Sequence, residues 1–135
     1  MAEINFLAVG LSALAAFFLG FVWYTVIFAK VWQKEIGMGD IENNKDVQTP
    51  NLGKLLIESL ILEVIMAFVM AAFIIGNDAD ATTGLVKGLA VGLTLVGFAF
   101  GVNYLFEGKT LRHWMINAGY NTLVFAVMGL IIGAM

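Results

Sequence analysis

Residues 55–76 read LLIESLILEVIMAFVMAAFIIG, and they decide the fold. About 20 apolar residues, rising ~1.5 Å each, cross the ~30 Å hydrocarbon core of a bilayer. The stretch is long enough, although it carries Glu58 and Glu63. Lipid offers no partners to exposed backbone N–H and C=O groups, so such a segment must be a helix. Three more stretches pass the same test, predicting helices over about 5–29, 54–76, 83–106 and 113–135. The alternating pattern of a membrane β-barrel is missing.

Composition agrees. The 135 residues are 61% hydrophobic and 13% charged, where soluble domains run near half and a quarter. The expected fold is all-α: an integral membrane four-helix bundle forming a single transmembrane domain over residues 1–135. A net charge of −3 argues for neither nucleic acid nor a cationic membrane-binding face. The chain lacks cysteine, which excludes disulfides, thiol catalysis, iron–sulfur clusters and thiolate zinc sites. A single histidine excludes a multi-histidine metal site within one subunit, so no metal or cofactor is expected. The apolar run from residue 6 to 29 lacks a basic leader and is too long for a signal peptide, so it reads as a retained helix.

Lys30, Lys34, Lys45 and Lys54 fall in or beside the first loop, and Lys109 and Arg112 in the third. Only Lys87 lies toward the other side, with Asp78 and Asp80. Positive charge stays in the cytoplasm, which predicts a cytoplasmic loop 30–53, both termini outside, and residence in the plasma (cytoplasmic) membrane. Trp23, Tyr24, Trp32 and Trp114 gather near the same face and are expected as interfacial anchors. Val31, Trp32, Ile36 and Met38 alternate with charges at helical spacing, as in a short helix lying on the membrane surface.

LAVGLS at 7–12 returns as LAVGLT at 89–94. Chance repetition in an apolar alphabet and a duplication into two hairpins account for it equally well. A shift of 58 residues sets Ser59 on Asn117 and Glu63 on Asn121, so those two faces are expected to oppose each other.

A carboxylate at the bilayer centre costs roughly 2.5–3.5 kcal/mol on insertion scales. Glu58 lies near the end of its helix and can snorkel to the headgroups. Glu63 lies about 13 Å from Lys54 along the axis and cannot. Five residues separate the two acids, so they point about 140° apart and form no simple dyad. Ser59, Glu63, Ala67 and Ala71 repeat every four residues, a small-residue face that turns Glu63 into the bundle. Asn103, Tyr104 and Glu107 share a face of the third helix, and His113, Asn117, Tyr120 and Asn121 form a stripe on the fourth. The candidate polar cluster is therefore Glu63, Ser59, Asn103, Tyr104, Glu107, Asn117, Tyr120 and Asn121.

Three functions fit such a cluster. The first, weighted most, is interhelical and oligomer glue. The second is a proton- or ion-coupled transporter in which Glu63 exchanges a proton. The third is a site for a small-molecule or lipid ligand, with enzymatic chemistry disfavoured because no nucleophile–base pair or phosphate loop is present. Gly84, Gly88 and Gly92, Gly97 and Gly101, and Gly129 and Gly133 recur every four residues, as do Ala8, Ser12, Ala16 and Gly20. Such faces permit close helix packing, within the chain or through a homo-oligomer, and a homo-oligomer is expected.

The segments LGFVWYTVIFAKVW at 19–32, VNYLFEGKTLRHWMINAGY at 102–120 and VMGLIIGAM at 127–135 resemble the small membrane proteins grouped as domain of unknown function 1761. That resemblance covers essentially the whole chain and implies four membrane helices without assigning an activity. Members of that family often carry histidine after the Gly-Tyr pair, where this chain has Asn121, which argues against a shared acid–base role at that position. Small multidrug transporters also pair four helices with a buried glutamate. Their antiparallel dimers need weak charge bias, and six of seven basic residues on one side argue against that assembly here.

Overall fold

A computed structural model describes residues 2–37, 51–76 and 79–135. It contains α1 (Phe6–Val22), α2 (Ala29–Glu35), α3 (Leu52–Ile74), α4 (Ala81–Ala90), α5 (Phe98–Glu107) and α6 (Leu111–Ala134). A π-helical turn, Trp23–Ile27, extends α1, and a π-helical segment, Val91–Gly97, joins α4 to α5. The chain is thus all-α, with four helices long and apolar enough to cross a membrane: Phe6–Ile27, Leu52–Ile74, Ala81–Glu107 and Leu111–Ala134. The surface-helix expectation falls on α2, while Met38, Lys45, Pro50 and Asp78 lie outside the described residues.

Each span opens on a residue whose side chain accepts orphan backbone N–H groups. Asn5 serves Leu7 and Ala8, Asn51 serves Lys54, Asp80 serves Thr83 and Thr110 serves His113. Such caps are typically worth about 1 kcal/mol. At the other end of α5, Gly108 adopts φ 68°, and the Lys109 N–H donates to the Tyr104 carbonyl at 2.9 Å. This left-handed cap reverses the chain into α6 within a few residues and favours glycine.

α6 is the hub, packing on α1, α3 and the whole α4–α5 span. Its most extensive partner is α4, because glycines face each other across the interface. A Cβ on Gly84 would strike the Gly129 backbone, one on Gly88 the Phe125 carbonyl, and one on Gly92 the Thr122 backbone. Gly129 and Gly133 meet the backbones of Gly84 and Asp80 in the same way. Thus the glycines that motivated self-association are occupied within the chain. Gly97 backs onto Gly92 and Ala118, and Gly101 lies under the Trp114 indole.

The apolar core joins Val9, Ala13 and Ala16 of α1, Ala67, Met70 and Ile74 of α3, and Val124 and Met128 of α6. The outer surface is apolar as well: Phe106 is 90% and Leu105 82% exposed. Soluble monomers rarely carry so continuous an apolar coat, which suits contact with lipid. The first half of α3 stands away from the bundle. Its first buried residue is Glu63, and residues 52–59 are all exposed.

Candidate functional site

The polar side chains of three spans converge on α6. Tyr24, in the π-helical turn after α1, donates its hydroxyl to Asn117 Oδ1 at 2.6 Å. Asn117 Nδ2 in turn donates to the Tyr104 hydroxyl of α5 at 2.8 Å. One turn along α6, Tyr120 donates its hydroxyl to Glu63 Oε1 of α3 at 2.9 Å. The Tyr24 and Tyr120 rings meet edge to face, 5.0 Å apart, joining the two branches. Buried polar groups left unpaired cost about 1–3 kcal/mol, so these bonds select one arrangement of the helices.

Gly20 makes room for the Glu63 branch. A Cβ there would lie 2.8 Å from the Tyr120 hydroxyl. Glu63 is 7% exposed, and its second oxygen, Oε2, has no hydrogen-bond partner among the described residues. Ser12 Oγ and His113 Nδ1 are likewise buried without partners among those residues. The imidazole of His113 lies edge to face with Tyr104 at 4.9 Å.

Two indoles also cross between helices. Trp23 Nε1 donates to the Ile116 carbonyl at 3.0 Å, and Trp114 Nε1 to the Gly97 carbonyl at 2.8 Å. Of the four expected anchors, Tyr24, Trp23 and Trp114 therefore direct their polar atoms into the protein, and Trp32 packs on the Tyr24 ring at 5.0 Å. Spacing could not show these pairings, although a half-buried indole must find an acceptor.

The remaining candidates divide plainly. Glu63, Tyr104, Asn117 and Tyr120 meet; Asn121 lies beside them and donates to the Asn117 carbonyl of its own helix at 2.9 Å. Ser59, Asn103 and Glu107 are exposed and outside the network. Ser59 lies on the half of α3 that leaves the bundle, and Glu107 is the last residue of α5. Glu58 pairs with Lys54 at 3.8 Å, with both side chains more than half exposed. Such a pair contributes little to stability.

On the other side of Trp23 lies a cavity of about 930 Å³ between α2 and the start of α6. Trp23, Phe28 and Val31 form one wall, and Leu111, Met115, Ile116 and Gly119 the other. Glu35, Thr110 and Arg112 give it one polar end. The Thr110 hydroxyl donates to Glu35 Oε2 and accepts the His113 N–H, so it ties α2 to the α6 cap. A second hollow of about 350 Å³ shares Trp23, Met115 and Gly119 and continues to Thr122 and Leu123. From Thr110 to Leu123 the two follow α6 for about 20 Å, longer than the ~15 Å of one leaflet's hydrocarbon. Sequence reasoning missed this groove because it depends on how α2 folds back. Among the described residues no cluster of three His, Cys, Asp or Glu could hold a metal ion.

Four helices long and apolar enough to cross a membrane, around a buried polar network, suggest a small multi-pass membrane protein. The chain belongs to the family described as "Protein of unknown function (DUF1761)", whose model matches residues 7–133. No curated protein and no solved structure matches it.

Proposed function

We propose that this protein binds a membrane amphiphile in the groove along α6, and that the polar network is the glue holding one wall in place. One observation carries the reading: a groove with apolar walls from Trp23 to Met115 and a single charged end. Its volume is that of a ligand site. Trp23 belongs to both systems, with its indole N–H fixed on Ile116 and its ring facing the groove. The bias of basic residues toward the first and third loops supports a charged end at the cytoplasmic leaflet of the plasma membrane, with both termini outside.

Trp23 reports occupancy directly. In a Trp32→Phe, Trp114→Phe background, lipids brominated on the acyl chain should quench Trp23, the one tryptophan then left on the groove wall. Quenching no greater than that of a Trp placed at lipid-facing Phe106 would reject the reading.

A second reading, proton exchange at Glu63, draws support from the buried, unpartnered Oε2. It predicts that Glu63→Gln abolishes pH-dependent ligand binding while the protein stays folded. Unchanged pH dependence would reject it.

A further inference from the structure

The polar end of the groove holds two opposite charges that do not pair with each other. Glu35 ends α2, and Arg112 lies in the first turn of α6. Both line the cavity, and among the described residues the only ion pair is Lys54 with Glu58. Glu35 is held by the Thr110 hydroxyl through Oε2, leaving Oε1 to accept further donors. The Arg112 guanidinium is always charged and carries five donors in a fork that suits phosphate oxygens.

We infer that the groove selects a zwitterionic amphiphile whose headgroup joins a phosphodiester to a primary ammonium. This inference rests on the groove reading above. Arg112 takes the phosphate, Glu35 takes the ammonium, and the acyl chain lies along Trp23 and Met115. An anionic headgroup lacking the amine leaves Glu35 facing negative charge. A quaternary ammonium keeps the charge balance but has no N–H to offer the carboxylate. The headgroup therefore has to present both signs and a donor.

The test is native mass spectrometry of protein released from bilayers of equal parts phosphatidylethanolamine, phosphatidylcholine and phosphatidylglycerol. The wild-type chain should retain phosphatidylethanolamine about tenfold over the other two, a difference of about 1.4 kcal/mol. Glu35→Gln should erase that preference while lipid stays bound, and Arg112→Gln should weaken all three. Met115→Trp, which fills the groove from an exposed position, should remove the retained lipid without unfolding the protein. Equal retention of all three headgroups, still lost in Met115→Trp, overturns the headgroup assignment and leaves groove binding standing. Retention unchanged by Met115→Trp overturns both.

Discussion

The Tyr120 hydroxyl donates to Glu63 Oε1 at 2.9 Å, over a glycine whose missing side chain gives that hydroxyl its place. Glu63 is the first buried residue of α3, so this bond lies where the helix joins the bundle. Tyr120→Phe should cost about 1–3 kcal/mol by leaving the carboxyl without its donor. Glu63→Gln keeps an acceptor oxygen for Tyr120 and should cost less than Tyr120→Phe. Unfolding in detergent by circular dichroism compares the two. Equal losses would contradict a role confined to hydrogen bonding.

Glycine substitutions separate crowded positions from open ones. Gly88→Ala drives a methyl into the Phe125 carbonyl and should destabilise by about 1–3 kcal/mol. Gly10→Ala meets nothing within 4 Å and should stabilise α1 by up to about 1 kcal/mol. The Gly88 variant should lose folded monomer, not merely dissociate an oligomer. Size-exclusion with light scattering distinguishes the outcomes.

The N-cap of α4 supplies a pH test outside the membrane. The Thr83 backbone N–H, 2.7 Å from Asp80 Oδ1, holds the Asp80 carboxyl below its ordinary range. A depressed carboxyl stabilises the fold above its unfolded pKa, near 3.9, and loses that contribution as pH falls through the lower folded value. Amide exchange at Thr83 and Gly84 should therefore stay protected to about pH 4 and rise only below it. Asp80→Asn, an equally good cap, should remove the pH dependence.

Orientation is tested by single cysteines in a chain that has none. Cysteine at Asp80 should react with an impermeant reagent from outside intact cells. Cysteine at Lys45 should react only after permeabilisation. The reverse pattern would invert the proposed topology.

Length and apolarity alone made the four spans legible, because backbone in lipid has so few alternatives. The inward turn of Glu63 was legible too, since Ala67 and Ala71 continue its face into the core. Ser59 shares that spacing yet is exposed, because face counting cannot show where a helix leaves its neighbours. Nor could it show the wide turns at Trp23–Ile27 and Val91–Gly97. Each absorbs extra residues and breaks the 3.6-residue count on which stripes are drawn. Asn103 was placed beside Tyr104, but adjacent helical residues point about 100° apart, and only Tyr104 reaches Asn117. The Glu35–Thr110 contact joins residues 75 positions apart and left no local signal.

An experimental structure in native-lipid nanodiscs decides whether the groove along α6 holds an amphiphile. Elongated density should lie between Trp23 and Met115, with its head between Glu35 and Arg112. A groove closed by α2 packing onto Met115, or one filled by protein side chains, would contradict it.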